Sequence, residues 1–574
     1  VAFAAAQTSP GFYTLTPCRV LDTRGPTGPY GAPALNANSS RTFVFTGRCG
    51  IPATAGAVAL NVTVTASSAD GDLRIYRGGT AAPMSSSINY RTGMTRANGG
   101  TYGLGSNGDL VILVDQPFGS VQVIVDVSGY FVLSGGGGGG TGWSRRFGDV
   151  ADDRAQAVAV DGSGNVVAAG HLDGTTDFGG GQVSSYRHPS MGPTVDIVVA
   201  HYSPSGQYRW ARVIGSDSSE EAKGVATDDS GNVLVTGYQG SYAVDYGGGP
   251  QLVRAGTDLF VAKYSSAGSW VWSKTIGGYG YDQGNAIAAD DQGNVFVTGY
   301  IGVSSVGVDF GGGPLSSVGG SDAFLVKYSA TGGHVWSKRF GDTGNDNGMA
   351  VGADGSGNVF VAGTFEGTVD FGGGRLTSSG LRDVFVAKYS ASGQHLWSKR
   401  FGGSGDDVAY AIAVDSAGDI ALAGKYQGSI NFGGGNLSSA GGDDAFLVKL
   451  GGGSGSHVWS KDFGAGSGDT ATGVAVDGSN NVVVAGYYSG SVDFGGGALS
   501  SLGVDVFVAK YSPNGGHMWS RRYGNADSQL ADGVAAASNG NVSVAGFFAN
   551  TIDFGTGTLT TAGVYDGFIA SIGP

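Results

Sequence analysis

The sequence predicts an all-β chain in which an N-terminal β-sandwich is followed by a seven-bladed β-propeller, closed by pairing of its first and last strands. Three observations carry this expectation. Glycine supplies 110 of the 574 residues while glutamate occurs only at Glu220, Glu221 and Glu366, so good helix formers are scarce. A tryptophan marker recurs at Trp143, Trp210, Trp272, Trp336, Trp397, Trp459 and Trp519, at spacings of 60 to 67 residues. Self-similarity at such a period means stacked units, each of which buries its faces only against its neighbours. Each unit, finally, reads as four β-rich runs. In residues 351–402 two tight turns, Asp354 to Asn358 and Ser390 to Gln394, punctuate them, with glycine supplying positive φ and Asp or Asn bonding its own backbone.

Residues 1–134 are expected to form the first domain. The opening Val-Ala-Phe-Ala-Ala-Ala-Gln has the small-residue pattern of a signal-peptide end, which implies export; these six apolar residues are also expected to dock by strand addition onto a sheet edge. Alternating runs at residues 41–45, 57–66, 72–76, 109–115 and 120–132, separated by Gly, Pro and Asn, point to a sandwich of short strands. Cys18 and Cys49 are the only cysteines. In an exported chain they read as one disulfide, the alternative being two buried thiols. Arg19, Asp22 and Arg24 flank a Val-Leu pair and are expected to tie strand ends together. Residues 135–142, with glycine from 135 to 140, read as a flexible linker.

From residue 143 to 574 the repeats follow. A third-strand run begins at Asp196, Asp258, Asp322, Asp383, Asp444, Asp505 and Asp566, and the last copy lacks a tryptophan strand of its own. Residues 143–148 offer a tryptophan strand with nothing before it, so they should complete the seventh unit against residues 568–572 and remove an open edge. His334, His395, His457 and His517 stand two residues before their tryptophans and are read as structural, spread around the circumference. No HExxH, paired CxxC, GxSxG or phosphate-loop motif occurs.

Eight residues before the first-strand Asp of each unit stands an acid: Asp153, Glu220, Asp282, Asp346, Asp407 and Asp469, with Gln529 in the last unit. Two roles fit a carboxylate at one register of a loop entering the innermost strand: capping backbone amides, or a ring that holds calcium or a cationic partner. The loops between units and the long insertion between second and third strands should share one elaborated face, the expected recognition surface.

The residues of each unit, such as Gly224-Val225-Ala226 followed by Asp228 to Asn232, resemble the SBBP β-propeller repeat and, more distantly, the NHL repeat. The early Val20-Leu21-Asp22-Thr23-Arg24 and the late Asp126-Val127-Ser128-Gly129-Tyr130-Phe131 resemble a secreted or wall-associated β domain of actinobacteria and myxobacteria. That resemblance implies an extracellular accessory module.

A net charge of −14 with 32 Lys and Arg spread through the repeats argues against nucleic acid, and no apolar run is long enough to span a bilayer. The function expected is that of a secreted or cell-surface bacterial protein, non-enzymatic and without a required cofactor, that recognises an extracellular protein, a glycan or copies of itself. A filament subunit and a propeller lyase or glycosidase are the alternatives. The enzyme would need singular polar residues converging on the elaborated face.

Overall fold

The computed structural model describes all residues except 1–6, 10–11, 53–54, 79–81, 84, 106–107, 133–141, 189–191, 241, 255, 467 and 574. The expected docking segment at residues 1–6 and the glycine linker at 135–140 therefore lie outside the described residues. Every regular element among the described residues is a strand, and no helix is long and apolar enough to cross a membrane. The chain divides into two compact units, Val1–Gly140 with Gly573–Pro574, and Thr141–Ile572.

In the first unit two antiparallel sheets enclose one core. Phe12–Asp22, Ser120–Val132, Ala55–Thr65 and Arg96–Gly103 lie side by side in one; Ser39–Val44, Asp109–Asp115, Gly71–Arg77 and Ile88–Tyr90 form the other. Val58, Val62, Val123 and Val125 from the first sheet pack with Phe43, Leu73, Leu110 and Ile112 from the second, because each strand alternates an inward apolar side chain with an outward polar one. Cys18 and Cys49 are joined by a disulfide. Arg19 Nε donates to Asp126 Oδ1 at 2.9 Å, and Asp22 receives Arg24 Nη2 at 2.8 Å. The two sequence landmarks are thereby tied across adjacent strands.

Among its described residues the second unit contains seven four-stranded antiparallel sheets. In the sheet that contains Val351 the strands are Asn347–Ala353, Val359–Phe365, Asp383–Tyr389 and His395–Phe401, in that spatial order. Both middle strands are buried at every position, which is why they read as nearly continuous apolar runs. Their side chains meet the next sheet: Phe360, Ala362, Val384 and Val386 share a core with Ile420, Leu422, Phe446 and Val448. First strands adjoin first strands around the unit, and Gln529–Ala536 of the last repeat lies beside Arg154–Val160 of the first.

Trp143–Phe147 pairs antiparallel with Asp566–Ile572, Trp143 opposite Ser571 and Phe147 opposite Gly567. The sheet containing the chain's last strand thus takes its outermost strand from residues more than 400 positions earlier. Neighbouring sheets are locked by the tryptophans. Trp336 lies on Gly393, where a Cβ would fall 3.0 Å from the indole, and its Nε1 donates to Ala391 O at 3.2 Å. The φ of Gly393 is 82°, so both the turn and the ring require glycine there. The same bond recurs from Trp143 to Pro204 and from Trp272 to Ala330. Trp519 Nε1 is buried without an acceptor among the described residues.

The glycines of the insertion between second and third strands, read from the sequence as a turn between two short strands, form that turn. The insertion folds into a short ribbon, Thr368–Asp370 with Arg375–Thr377, whose Val369 and Phe371 are buried between sheets. Tyr389 donates its hydroxyl to Phe371 O at 2.6 Å. The glycines of the ribbon accommodate His395, whose Nε2 lies 3.1 Å from Ser398 Oγ, so the histidines of this register cover ribbon turns on the outermost strands.

A chain beginning after Gly148 leaves the edge of Asp566–Ile572 unpaired and removes the buried Trp143 and Phe147. Its thermal midpoint is expected to fall by about 10 °C or more, with aggregation on heating. A scan superimposable on that of the whole chain would contradict this account of the last sheet.

Candidate functional site

Two sets of side chains occupy the end of the second unit where the loops enter the first strands. The first set is the register of acids. Asp153, Glu220, Asp282, Asp346, Asp407 and Asp469 are 0 or 1% exposed, so they do not present a charged ring on the face. Each joins three pieces of backbone. In Asp407, Oδ2 accepts from Gly403 N at 2.8 Å and Oδ1 from Gln427 N at 3.3 Å, while its own N–H donates to Arg382 O of the preceding sheet at 2.8 Å. Asp282 does the same with Gly278, Gly302 and Thr257, and Asp469 with Ala465, Ser489 and Asp443. Glu220 reaches Ser216 with both oxygens. Gln529 reproduces half of this: its Oε1 accepts from Asn525 N at 3.0 Å and its Nε2 donates to Ala549 O at 3.2 Å. Capping by backbone amides, joined at Glu220 by the Ser216 hydroxyl, thus engages both oxygens of every acid in the register, and among the described residues no three metal-ligating side chains cluster.

Beside each capping acid stands the third-strand Asp of the preceding sheet, also buried. Asp383 accepts from Ser379 N at 2.9 Å and from Arg400, yet its Oδ1 has no partner among the described residues, as also at Asp258, Asp322, Asp444, Asp505 and Asp566. A Cβ on Gly402 would lie 2.7 Å from Asp383 Oδ1 and 2.8 Å from Asp407 Oδ2. Glycine after the outermost strand is therefore dictated by the acid pair. Burial, reinforced by the neighbouring carboxylate, pushes Asp153 and Asp346 up to about 7 and Asp407 and Asp469 up to about 6.

The second set was not found by reading motifs. Every first strand carries a bulge three residues after the capping register, and the residue it extrudes differs in each repeat. Gln156, Lys223 and Asn285 stand there in the first three repeats, then Met349, Tyr410, Thr472 and Asp532. These seven line the cavity of about 170 Å³ enclosed by the first strands. Below them the wall is repetitive, with Ala or Gly and then Val or Ile, as in Ala157-Val158 and Ala411-Ile412. Aligning the repeats on the acids exposes this column of seven different residues in an otherwise monotonous sequence, which was the available signal.

Five adjacent repeats give the cavity a polar side. Lys223 Nζ lies 2.5 Å from Glu221 Oε2, and Gln156 Nε2 donates to the same oxygen at 2.9 Å while lying 3.0 Å from His171 Nδ1. Against burial, Lys223 and its neighbours hold Glu221 down to about 2, while burial lowers His171. Burial pushes Asp532 up to about 7 against the pull of Arg154 and Lys223. Asn285 Nδ2 donates to Gly348 O at 2.9 Å, and Thr472 Oγ1 to Ala531 O at 2.6 Å. No hydrogen bond engages the carboxyl of Asp532 or the hydroxyl of Tyr410 among the described residues.

Comparison with known proteins agrees with this architecture. Residues 271–304 and 335–364 match the SBBP model, described as a β-propeller repeat. The chain carries β-propeller repeats. An uncharacterized WD repeat-containing protein of Acanthamoeba polyphaga mimivirus is 23% identical over 530 residues, covering 75% of this chain and 38% of that protein. The regulatory protein FlaEY of Caulobacter vibrioides is 27% identical over 267 residues, 43% of this chain and 27% of its own length. The chain thus spans well under half the length of these curated relatives. Among solved structures, Sqt1 of Chaetomium thermophilum aligns with 75% of this chain and 98% of its own at 9% identity and a TM-score of 0.33. The quinohemoprotein alcohol dehydrogenase of Comamonas testosteroni aligns with 76% of each chain at 10% identity and a TM-score of 0.34.

Acids whose folded pKa is raised bind more protons when folded, so their contribution to stability is fully present below the unfolded value near 4 and is lost as pH rises toward 7. The thermal midpoint is expected to increase as pH is lowered from about 7.5 to about 5.5. Asp407→Ala should cost about 3 kcal/mol by leaving the amides of Gly403 and Gln427 unpaired. Denaturant titrations across this range check both, and a midpoint that falls steadily on acidification would contradict the assignment.

Proposed function

We propose that the chain is a secreted, non-enzymatic recognition protein of the bacterial cell surface or matrix, in which a β-sandwich precedes a seven-bladed propeller whose ring is closed by its N-terminal strand. The partner, an extracellular glycan or protein, is read at the loop-bearing end, at the mouth of the axial cavity. The observation that carries this reading is the column of singular residues. Where every repeat must build the same sheet, seven different side chains at one inward-facing register serve no common packing purpose. The same end carries exposed apolar side chains in its loops, Val150, Tyr281, Leu381, Leu502 and Val564 among them, all more than 60% exposed. Such a rim suits contact with a partner around a polar centre.

The capping acids have a structural part in this proposal. Calcium at their register would have to displace backbone amides from carboxylates that are already doubly engaged, so added calcium or chelator is expected to leave the thermal midpoint unchanged.

A second reading, a lyase or glycosidase acting on an extracellular polymer, draws on the same convergence. Asp532, protonated near neutral pH, would serve as a proton donor and Glu221 as the ionised partner. Recognition is preferred because Glu221 is already engaged by Lys223 and Gln156 and so is not free to act as a base.

Arrays of extracellular glycans and surface proteins, probed with the whole chain and with Met349→Trp, test the proposal. Met349→Trp obstructs the cavity without touching the capping acids and should weaken binding at least tenfold at an unchanged thermal midpoint. Undiminished binding would move the site off the axis. Release of new chain ends from a bound polymer would favour the enzyme.

A further inference from the structure

The axial cavity also limits what kind of group can enter it, and this step rests on the recognition proposed above. We propose that it receives one uncharged, polyhydroxylated ring, the terminal sugar of a glycan, with the Asp532 carboxyl and the Tyr410 hydroxyl as its principal hydrogen-bonding contacts.

Charge removes the other classes. An anionic ligand would need an unspent cation, but Lys223 is paired with Glu221, and Arg154 Nη2 lies 2.9 Å from Asp152 Oδ2. A cationic ligand would need an ionised carboxylate, and burial drives Asp532 toward its neutral form. Glu221, spent on Lys223 and Gln156, offers it no compensation. A neutral ligand with several hydroxyls meets neither obstacle.

Each hydroxyl both donates and accepts, and the cavity supplies both roles. The carboxyl of Asp532 and the phenol of Tyr410 are free of hydrogen bonds among the described residues, and neither has its oxygens sealed from the cavity. Lys223 and Gln156 stand on the side next to Asp532. On the other side Met349 and Tyr410 offer apolar surface, which suits the C–H face of a sugar ring.

Size sets the remaining limit. A cavity of about 170 Å³ falls below the ~300 Å³ at which pockets for drug-sized ligands begin. It accommodates one ring rather than a chain. Seven first strands wall the cavity on all sides, so a polymer cannot lie across its floor and enters by its end or by a branch.

Saturation-transfer NMR on the whole chain tests this with a panel of free monosaccharides: neutral hexoses, an N-acetylhexosamine, a hexuronate and a hexosamine. Saturable transfer to at least one neutral member is expected, with at least tenfold weaker affinity in Asp532→Ala and Tyr410→Phe and thermal midpoints unchanged. Binding restricted to the hexuronate or the hexosamine and sensitive to both variants would overturn the ligand class while leaving the axial site standing. Neutral-sugar binding indifferent to both variants would overturn the assignment to Asp532 and Tyr410. Absence of transfer from every member, while Met349→Trp still abolishes binding on the arrays, would overturn the sugar-end proposal and leave the recognition reading intact.

Discussion

Every sheet of the second unit has middle strands that are apolar on both faces, so none is stable except between two others. The contact between neighbours is therefore the interaction on which the rest depends. It has an apolar part, shared cores such as that of Phe360 and Val384 with Ile420 and Phe446, and a directional part. The directional part fixes spacing and angle. At the periphery a tryptophan rests on a glycine of the next turn and bonds its carbonyl; near the axis an acid ties its own second strand, its entry loop and the preceding sheet together. Burying a carboxylate is costly, and two backbone amides per acid offset that cost only in part, which is why burial moves these groups toward neutral pH.

This divides the repeat into positions that hold the assembly and positions left free. Capping acids, third-strand Asp, glycines beside them and tryptophans recur because each makes the same junction. The bulge three residues beyond the capping acid is exempt from that common junction: its side chain leaves the ladder and enters the cavity, and where it does bond the next sheet, as Gln156, Asn285 and Thr472 do, it bonds a different partner each time. Singular residues accumulate there, and with them the capacity to tell one ligand from another.

Much of the architecture was legible. The tryptophan period marked the repeats, and the missing strand at one end with a spare strand at the other anticipated the pairing of Trp143–Phe147 with Asp566–Ile572. The acids were found at the right register, and capping, one of the two roles considered, is the one the geometry supports. Their burial was not legible, because a loop residue at the start of a strand gives no sign of the sheet that will cover it. The glycine-rich insertion was legible as a turn between two short strands, but its packing between sheets was not, because Val369 and Phe371 are too few to announce a buried ribbon. The axial residues escaped because a bulge breaks the alternation that marks a strand face, and because attention to what repeats passes over the one column that does not.

The most direct test is to replace all seven axial residues, Gln156, Lys223, Asn285, Met349, Tyr410, Thr472 and Asp532, by alanine in one chain, and to measure its thermal midpoint and its binding to the glycan or protein the native chain selects. The account predicts a cooperatively folded variant, with a midpoint within about 5 °C of the native one, that binds nothing the native chain binds. A variant that unfolds would show that the column is structural after all, and one that binds as before would place recognition elsewhere on the molecule.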